Sequence, residues 1–249
     1  MSELFSIQLQ NRQQQGRDGV WLDLPTTTEQ VQAALRQIGI SSDNPQGLFI
    51  SGYFAEEEKR FAIPYNMVLA SNVDELNFLA SRLETLSTGE RTELNAVLQA
   101  LQSELFSIGR ITDFPENVDY YVHLPDVHGP AQLGDYYLNR SGMVNMPEEW
   151  KGGIDTAQFG RYVAQQEQGV FTEYGYLVKS GDAWQKVHEG QPVPEEYRVL
   201  SFPAPEVLRD SANIPPPVQP ETEPQKVIPI ILNGKDSAER MKEITDRLE

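Results

Sequence analysis

The sequence predicts an α+β fold followed by a proline-rich tail, and three observations support this prediction. Short runs alternate apolar and polar residues as strands do, and longer runs repeat apolar residues at helical spacing behind capping residues. The 249 residues are 39% apolar, with 10 Phe, 10 Tyr and 3 Trp, which is enough to form a core. The order of these elements predicts an elongated body of three parts, residues 1–62, 63–108 and 109–189.

Residues 1–62 are predicted to form a small antiparallel sheet with one helix. Three runs have the alternation of strands: 4–9, 19–24 and 48–54. Thr26 and Glu29 have the spacing of a capping box, so a helix is expected to begin there. Gly39 lies where a helix C-terminal cap belongs, which predicts the end of that helix.

Residues 63–108 are predicted to form two amphipathic helices. Asn72 and Glu75 precede the first apolar repeat, and Ser87 and Glu90 precede the second, each pair with the spacing of a capping box. Because the connection between the repeats is very short, we expect the helices to pack antiparallel as a hairpin or small bundle.

Residues 109–189 are predicted to form a second small sheet with helices. Four runs are candidate strands: 117–124, 170–171, 174–179 and 183–187. One helix is expected from Ala131 to Gly142, and a second is expected from an Asp155 cap to Gln165.

The composition changes after Gly190. Nine of the 36 residues in 190–225 are proline, which favours extended polyproline conformations and predicts a linker. Residues 226–249 return to an apolar run followed by an amphipathic pattern, which predicts a strand and the beginning of a helix. We therefore expect the start of a further segment or domain, and the chain to be part of a longer protein.

The charge balance excludes several function classes. The chain has 37 acidic and 20 basic residues and a net charge of −17, so its field repels nucleic acids and anionic membranes. The region 63–135 is the most one-sided, with 11 acids against three bases. The chain has no cysteine, no leader pattern and no apolar run of membrane-spanning length, which favours a soluble cytoplasmic protein.

Sequence motifs for catalysis are absent. There is no P-loop, no G-x-S-x-G and no G-x-G-x-x-G, so neither a nucleotide cofactor nor a serine nucleophile is indicated. His123 and His128 flank Asp126, but they lie in a Pro- and Gly-rich loop and not on a helix, so no metal site and no cofactor are expected.

Ordered matches in three places identify a family resemblance over residues 3–178. The first part contains GVWLDLPTTTEQVQAALRQIGI, the centre contains VDELNFLASRLETL, and the last part contains LGDYYLNRSG, MPEEW and ID-x-x-x-FGR. In this order the segments resemble ArdA-type antirestriction proteins, which are associated with mobile genetic elements. The tail KVIPIILNGKDSAERMKEITDRLE resembles the opening of an ArdC-type domain.

The resemblance to ArdA implies a non-catalytic function. Members are elongated, three-part molecules that dimerise through the last part, and their carboxylates imitate a bent DNA duplex in the DNA-binding groove of type I restriction-modification enzymes. The acids that would act as phosphate mimics here are Asp23, Glu29, Asp74, Glu75, Glu84, Glu90, Glu93, Asp113, Glu116, Asp119, Asp126, Asp135, Glu148, Glu149 and Asp155. The residues that would contribute to the core or to the dimer interface are Tyr136, Tyr137, Met143, Trp150 and Phe159.

Two other functions remain open from the residues. Acids in the 113–128 region, among them Asp113 and Glu116, are candidates for a carboxylate-dependent hydrolase or a metal-dependent enzyme, which needs two carboxylates in a shared cleft. A non-inhibitory adaptor module of a mobile-element protein is the third interpretation.

Overall fold

The computed structural model describes residues 4–14, 18–41, 45–56, 60–100 and 107–200. These residues form two compact units. Unit 1 contains the described residues up to 91, those of 107–116 and those of 185–200, and unit 2 contains 92–100 and 117–184. The predicted tail segment and the linker after residue 200 lie outside the described residues. The division into three parts and the elongated shape stay predictions.

Unit 1 contains a three-stranded antiparallel sheet, as predicted. Its strands are β1 (Phe5–Asn11), β2 (Val20–Leu24) and β3 (Leu48–Phe54), in the order β2-β1-β3. Ser6 pairs with Asp23 on one side and with Phe54 on the other. The register between β1 and β3 shifts at Gln8 and Leu9 of β1, which marks an irregularity in the ladder. Alternation places Ile7 and Leu9 in the core.

The first helix of unit 1 begins one residue later than predicted. Helix α1 (Thr28–Gln37) is capped by Thr27, whose hydroxyl accepts from the Gln30 N–H, and the Gln30 side chain accepts from the Thr27 N–H. The predicted Thr26 cap is therefore wrong, because the Thr26 N–H donates instead to the Asn77 side chain at 2.7 Å. Gly39 has φ +66° just after the helix, in the conformation predicted for it.

Helix α3 is the central helix of unit 1. The helices that follow the sheet along the chain are α2 (Tyr65–Ala70), α3 (Val73–Glu84), α4 (Thr88–Ala100) and α5 (Ile108–Thr112); residues 92–100 of α4 belong to unit 2. The Asn72–Glu75 capping box of α3 is present, which confirms that prediction. Helix α3 packs on β2 and α5. Helix α4 starts with the expected Ser87–Glu90 pair, and a hairpin of α3 with α4 stays a prediction.

The beginning of the predicted linker contacts α3. Residues 195–197 form a 3-10 turn, and the ring of Tyr197 lies 4.6 Å from that of Phe78. Asn77 is buried and donates to the Tyr197 carbonyl at 3.0 Å, while its side-chain oxygen accepts from Thr26. A free linker beginning at Gly190 is therefore wrong for the described residues up to 200, because these polar and aromatic contacts hold them on unit 1.

Unit 2 contains the second antiparallel sheet, of strands β4 (Tyr121–Leu124), β5 (Val170–Thr172) and β6 (Gly175–Lys179), in the order β4-β6-β5. Strand β4 is shorter than predicted because residues 118–120 form a 3-10 turn. The strand predicted at 183–187 does not form. Trp184 instead packs edge-to-face on Tyr120, with ring centroids 5.2 Å apart.

Two helices of unit 2 cross at very short range. The helical elements are α6 (Pro130–Asp135), continued by a π-helical turn (Tyr136–Arg140), then α7 (Glu148–Lys151) and α8 (Thr156–Glu167). Asp155 caps α8 as predicted, accepting from the Ala157 N–H at 2.9 Å. A Cβ at Gly160 would lie 1.8 Å from the Pro130 carbonyl oxygen, and one at Gly134 would lie 1.9 Å from the Thr156 carbonyl oxygen. The glycines of the LGDYY and FGR segments thus allow α6 and α8 to touch.

Candidate functional site

The candidate phosphate mimics differ in exposure. Seven are exposed: Asp23, Glu29, Asp119, Asp126, Glu148, Glu149 and Asp155. Seven are partly buried: Asp74, Glu75, Glu84, Glu90, Glu93, Glu116 and Asp135. Asp113 is fully buried. A carboxylate can imitate a phosphate only where a partner reaches it, so the exposed group is the stronger part of the candidate site.

Asp113 is an internal ligand for the main chain and does not belong to the surface. It follows α5, and its two carboxylate oxygens accept from the His188 N–H at 2.6 Å and the Glu189 N–H at 3.2 Å. A buried carboxylate needs such donors because it has lost its water. The sequence-based assignment of Asp113 as a phosphate mimic is therefore wrong. Its carboxylate is likewise enclosed and unavailable as an acid or base of the hydrolase alternative.

Asp74 has a similar role at the start of α3. One of its oxygens accepts from the Val199 N–H and from the Leu200 N–H, both at 2.7 Å. Burial raises the pKa of Asp74, although these two hydrogen bonds and the nearby Arg198 oppose the shift. The sequence pattern places Asp74 in the first turn of a helix, which normally indicates an exposed carboxylate, and only the docked segment reveals this second role.

Several other candidate acids stabilise helix starts while remaining accessible. The hydroxyl of Thr27 lowers the pKa of the exposed Glu29, and Ser87 lowers the pKa of Glu90. Asp155 accepts from two N–H groups at the start of α8. Negative charge at a helix N-terminus is favourable, so these acids combine a local structural role with surface charge.

The arginines of the acidic region 63–135 are held against the protein. Arg82 forms a salt bridge with Glu116, and Arg110 lies 3.9 Å from the Glu189 carboxylate. Arg91 donates to two main-chain carbonyls and lies over the Phe61 ring. All three arginines are partly buried. Their guanidinium groups are therefore engaged by other groups of the protein and are less accessible to an approaching partner than the exposed acids are.

The exposed acids of unit 2 form few ion pairs in the described part of the chain. Lys151 lies 3.1 Å from Glu148, and Arg140 lies 3.2 Å from Asp135. The carboxylate partner of each pair remains accessible to solvent, and ion pairs near the surface contribute only about 0–1 kcal/mol, so a cationic partner competes with them easily.

The five candidate interface residues have different environments. Tyr137 is buried in the core of unit 2, so it is a core residue and does not contribute to an interface. Tyr136, Met143 and Phe159 are partly buried against the same core. Trp150 is 68% exposed. Sequence reasoning did not select Tyr162 of α8, which is 54% exposed, because it follows the FGR motif with no periodicity to distinguish its face.

A buried carboxylate that sequence reasoning missed lies in the core of unit 2. Glu167 ends α8 and accepts hydrogen bonds from the hydroxyls of Tyr137 and Tyr176, the latter at 2.9 Å. Burial raises the pKa of Glu167 although both hydrogen bonds oppose it, and it also raises the pKa values of both tyrosines. Tyr176 belongs to a continuous apolar run in β6, which indicates burial, but nothing in the sequence indicates what its hydroxyl binds.

Two of the three histidines make structural contacts in the described chain, and His128 is exposed. His123 donates from Nε2 to the Tyr174 carbonyl at 2.7 Å, and the His188 ring packs edge-to-face on Phe78. Among the described residues, no group of three or more His, Asp or Glu side chains is placed to hold a metal ion.

The described helices are also too short or too polar to cross a membrane.

Comparison with known proteins identifies the family. The family model for antirestriction protein (ArdA) matches residues 15–178, which include β2 and β3 of the first sheet, nearly all of the second sheet and the helices between them, but not β1. A search of the curated proteins found no match. The matched region covers well over half of the chain and contains the segments that form the Gly134–Gly160 crossing and the α3 capping box. The chain therefore belongs to the ArdA family of antirestriction proteins.

Proposed function

We propose that this protein is a non-catalytic decoy that imitates duplex DNA and occupies the DNA-binding groove of a type I restriction-modification enzyme in the cytoplasm. Family membership implies an antirestriction function. The observation that supports mimicry is the placement of charge. The three arginines of region 63–135 are partly buried and internally bound, whereas Asp119 and Asp126 are exposed.

The amount of charge is suitable for this function. Residues 1–190 contain 26 acids and 13 bases, so two copies have a net charge of −26. Since duplex DNA has one charge per ~1.7 Å of axis, this charge corresponds to roughly 44 Å of duplex. Buried Asp113 and Glu167 do not contribute to this surface, so the outward share is smaller than the formal charge.

A twofold dimer is part of the proposal. A continuous mimic of a duplex needs both halves end to end, and a twofold axis supplies the second half from the same chain. Exposed Trp150 and Tyr162 are the best candidates for the contact, because large aromatic residues are enriched at the centres of interfaces. Light scattering of the full chain at micromolar concentration gives twice the monomer mass if the proposal is correct, and only the monomer mass if it is not.

The direct test is competition with DNA. A purified type I methyltransferase core is titrated with the protein in the presence of a labelled duplex, over a series of salt concentrations. The protein should displace the duplex, and its affinity should fall steeply with added salt because charge pairs across an exposed interface are screened. Absence of displacement, or displacement that does not depend on salt, would contradict the decoy.

A matched pair of variants separates charge from general surface damage. The first variant neutralises four exposed acids of unit 2: Asp119→Asn, Asp126→Asn, Glu148→Gln and Glu149→Gln. The second replaces exposed neutral residues of the same unit, Gln165→Ala and Gln166→Ala. The first should weaken displacement progressively as the substitutions accumulate, by ~0–1 kcal/mol each, and the second should leave it unchanged.

A further inference from the structure

The outer face of the unit 1 sheet combines aromatic rings with a carboxylate. Ile7 and its alternate neighbours on β1 point into the core, so Ser6 and Gln8 point outward. The register pairs Ser6 with Asp23 and Gln8 with Trp21, and paired residues of antiparallel strands share a face. Trp21 and Asp23 are therefore adjacent outward residues of β2, and both are exposed.

Trp21 has a defined position on this face. It is 49% exposed and packs edge-to-face on Phe54, which is 58% exposed, with ring centroids 6.5 Å apart. Gly52 pairs with Gln8 between them, and a Cβ at Gly52 would lie 3.1 Å from the Trp21 ring. The indole therefore extends across β1 to β3 over a position without a side chain, where its aromatic surface stays accessible to solvent.

Asp23 is held beside the indole. The Ser6 hydroxyl donates to one carboxylate oxygen of Asp23 at 2.6 Å. Residues i and i+2 of a strand lie ~6.5–7 Å apart on the same face. That separation allows one planar cation to lie on the ring while its N–H groups reach the carboxylate.

We propose that Trp21, Phe54 and Asp23 form a docking site for an arginine guanidinium of a protein partner. A guanidinium is planar, stacks on aromatic faces and donates in a fork to a carboxylate, whereas the lysine ammonium is more strongly hydrated and lacks the fork. The net charge of −17 attracts a cationic partner and repels the phosphate backbone of a nucleic acid, whose bases are the other common ligands of exposed aromatic residues.

The same sheet contains an internal example of the contact. Phe49 of β3 pairs with outward-facing Gln10, and the guanidinium of Arg12 lies over the Phe49 ring at 5.4 Å from its centroid. An arginine on an aromatic ring is therefore compatible with the geometry of this face. The identity of the partner, an arginine-lined DNA groove, rests on the proposed function, but the guanidinium chemistry of the site does not.

The site is tested with small ligands and the full chain. The indole N–H signals of Trp21, Trp150 and Trp184 are followed by NMR during titration with a capped peptide of three arginines separated by glycines, with the same peptide carrying lysines, and with a short single-stranded oligonucleotide. The arginine peptide should shift the Trp21 signal and bind at least about threefold more tightly than the lysine peptide. Equal effects of both peptides, a larger shift at Trp150, or a shift by the oligonucleotide alone would overturn the proposal.

Three variants distinguish this site from the general decoy. Trp21→Leu keeps apolar area without the ring, Asp23→Asn removes the charge, and Trp150→Leu makes the same change at a more exposed indole of unit 2. The first two should each weaken binding of the arginine peptide about fivefold or more, and the third should not. Amide spectra confirm that each variant is folded.

Binding to the methyltransferase core separates the two proposals. If the wild-type protein displaces DNA and Trp21→Leu does so equally well, the DNA groove is the wrong partner for the docking site and the decoy stands. If the wild-type protein does not displace DNA while the arginine peptide still binds at Trp21, the decoy fails and the guanidinium site stands.

Discussion

Unit 1 and unit 2 each enclose a carboxylate in the fold, but they satisfy it with different donors. In unit 1, Asp113 accepts main-chain N–H groups of His188 and Glu189, from a segment about 75 residues further along the chain. In unit 2, Glu167 accepts hydroxyl groups of Tyr137 and Tyr176 within an otherwise apolar core.

The difference shows that a buried acid can stabilise a fold in two ways, by binding the main chain of a distant segment or by binding side chains within one core. Asp113 and Asp74 attach the segment 188–200 to unit 1 through its main chain, in addition to the ring contacts of His188 and Tyr197 with Phe78. Glu167 accepts hydrogen bonds from side chains, so its environment depends on both Tyr137 and Tyr176. In both units the formal charge overstates the charge available to a partner.

A second difference concerns how the units are packed. Unit 2 depends on a crossing of α6 and α8 that only glycine permits, whereas α3 of unit 1 packs through ordinary apolar side chains and the polar contacts of Asn77. Four experiments test these differences.

The largest loss of stability is expected from placing a side chain between the two crossing helices, α6 and α8. Gly160→Ala places a methyl group 1.8 Å from a main-chain oxygen of α6, so the helices must separate. Overpacking of this kind costs typically 1–3 kcal/mol and occasionally more, and we expect about 3 kcal/mol or more because the obstacle is backbone. Hydrogen exchange should show the loss in unit 2 amides and not in α3.

The control for this prediction is Gly89→Ala in α4, where a Cβ meets nothing within 4 Å. That variant should be neutral or gain up to ~1 kcal/mol from helix propensity. Comparable losses of stability in Gly160→Ala and Gly89→Ala would show that the α6–α8 crossing does not require glycine.

The next largest effect is expected from Asp113→Ala. It leaves two main-chain N–H groups without their carboxylate, at a cost of about 2–4 kcal/mol in the free energy of unfolding. Asp113→Asn should cost less because an amide oxygen still accepts. Urea unfolding measures both, with the exposed Asp119→Asn expected within about 0.5 kcal/mol of wild type. An unchanged midpoint for Asp113→Ala would show that the segment is held by other contacts.

Glu167→Gln should change the pH dependence of stability. The folded-state pKa of Glu167 is raised, so the folded state holds its proton more tightly than the unfolded state does. Wild-type stability should therefore decrease, relative to the variant, as pH rises from the unfolded value of ~4.3 toward the raised folded value. Unfolding midpoints of the two proteins between pH 4 and 7 test this. Parallel curves would contradict the ionisation of a buried Glu167.

The smallest effect, of opposite sign, is expected for the exposed acid Glu29. Its pKa is lowered by the Thr27 hydroxyl, so its stabilisation is present above the unfolded value of ~4.3 and is lost as pH falls through the lowered folded value. Glu29→Gln should remove this small loss at acid pH. The two differences in stability, wild type minus Glu29→Gln and wild type minus Glu167→Gln, should change in opposite directions with pH. If both change in the same direction, the distinction between the surface acid and the buried acid is wrong.

Local patterns predicted the elements well where neighbours along the chain decide them. The Asn72 and Ser87 capping pairs and the Asp155 cap depend on residues within three positions of one another, and the strands of unit 1 follow the local pattern of each run. The patterns failed where distant residues compete. Thr26 is not the cap because Asn77, 51 residues away, takes its N–H, and the run 183–187 is not a strand.

The sequence by itself determined the α+β class, the family and the excess of negative charge, because alternation, helical spacing, motif order and charge are properties of the chain. The tertiary structure alone decided which acids face solvent. Asp113 and Asp119 are alike as residues in a short acidic run, yet one is enclosed by main-chain donors and the other is exposed. Burial depends on segments far apart in the chain, and so does the position of Trp21 over Gly52 beside Asp23.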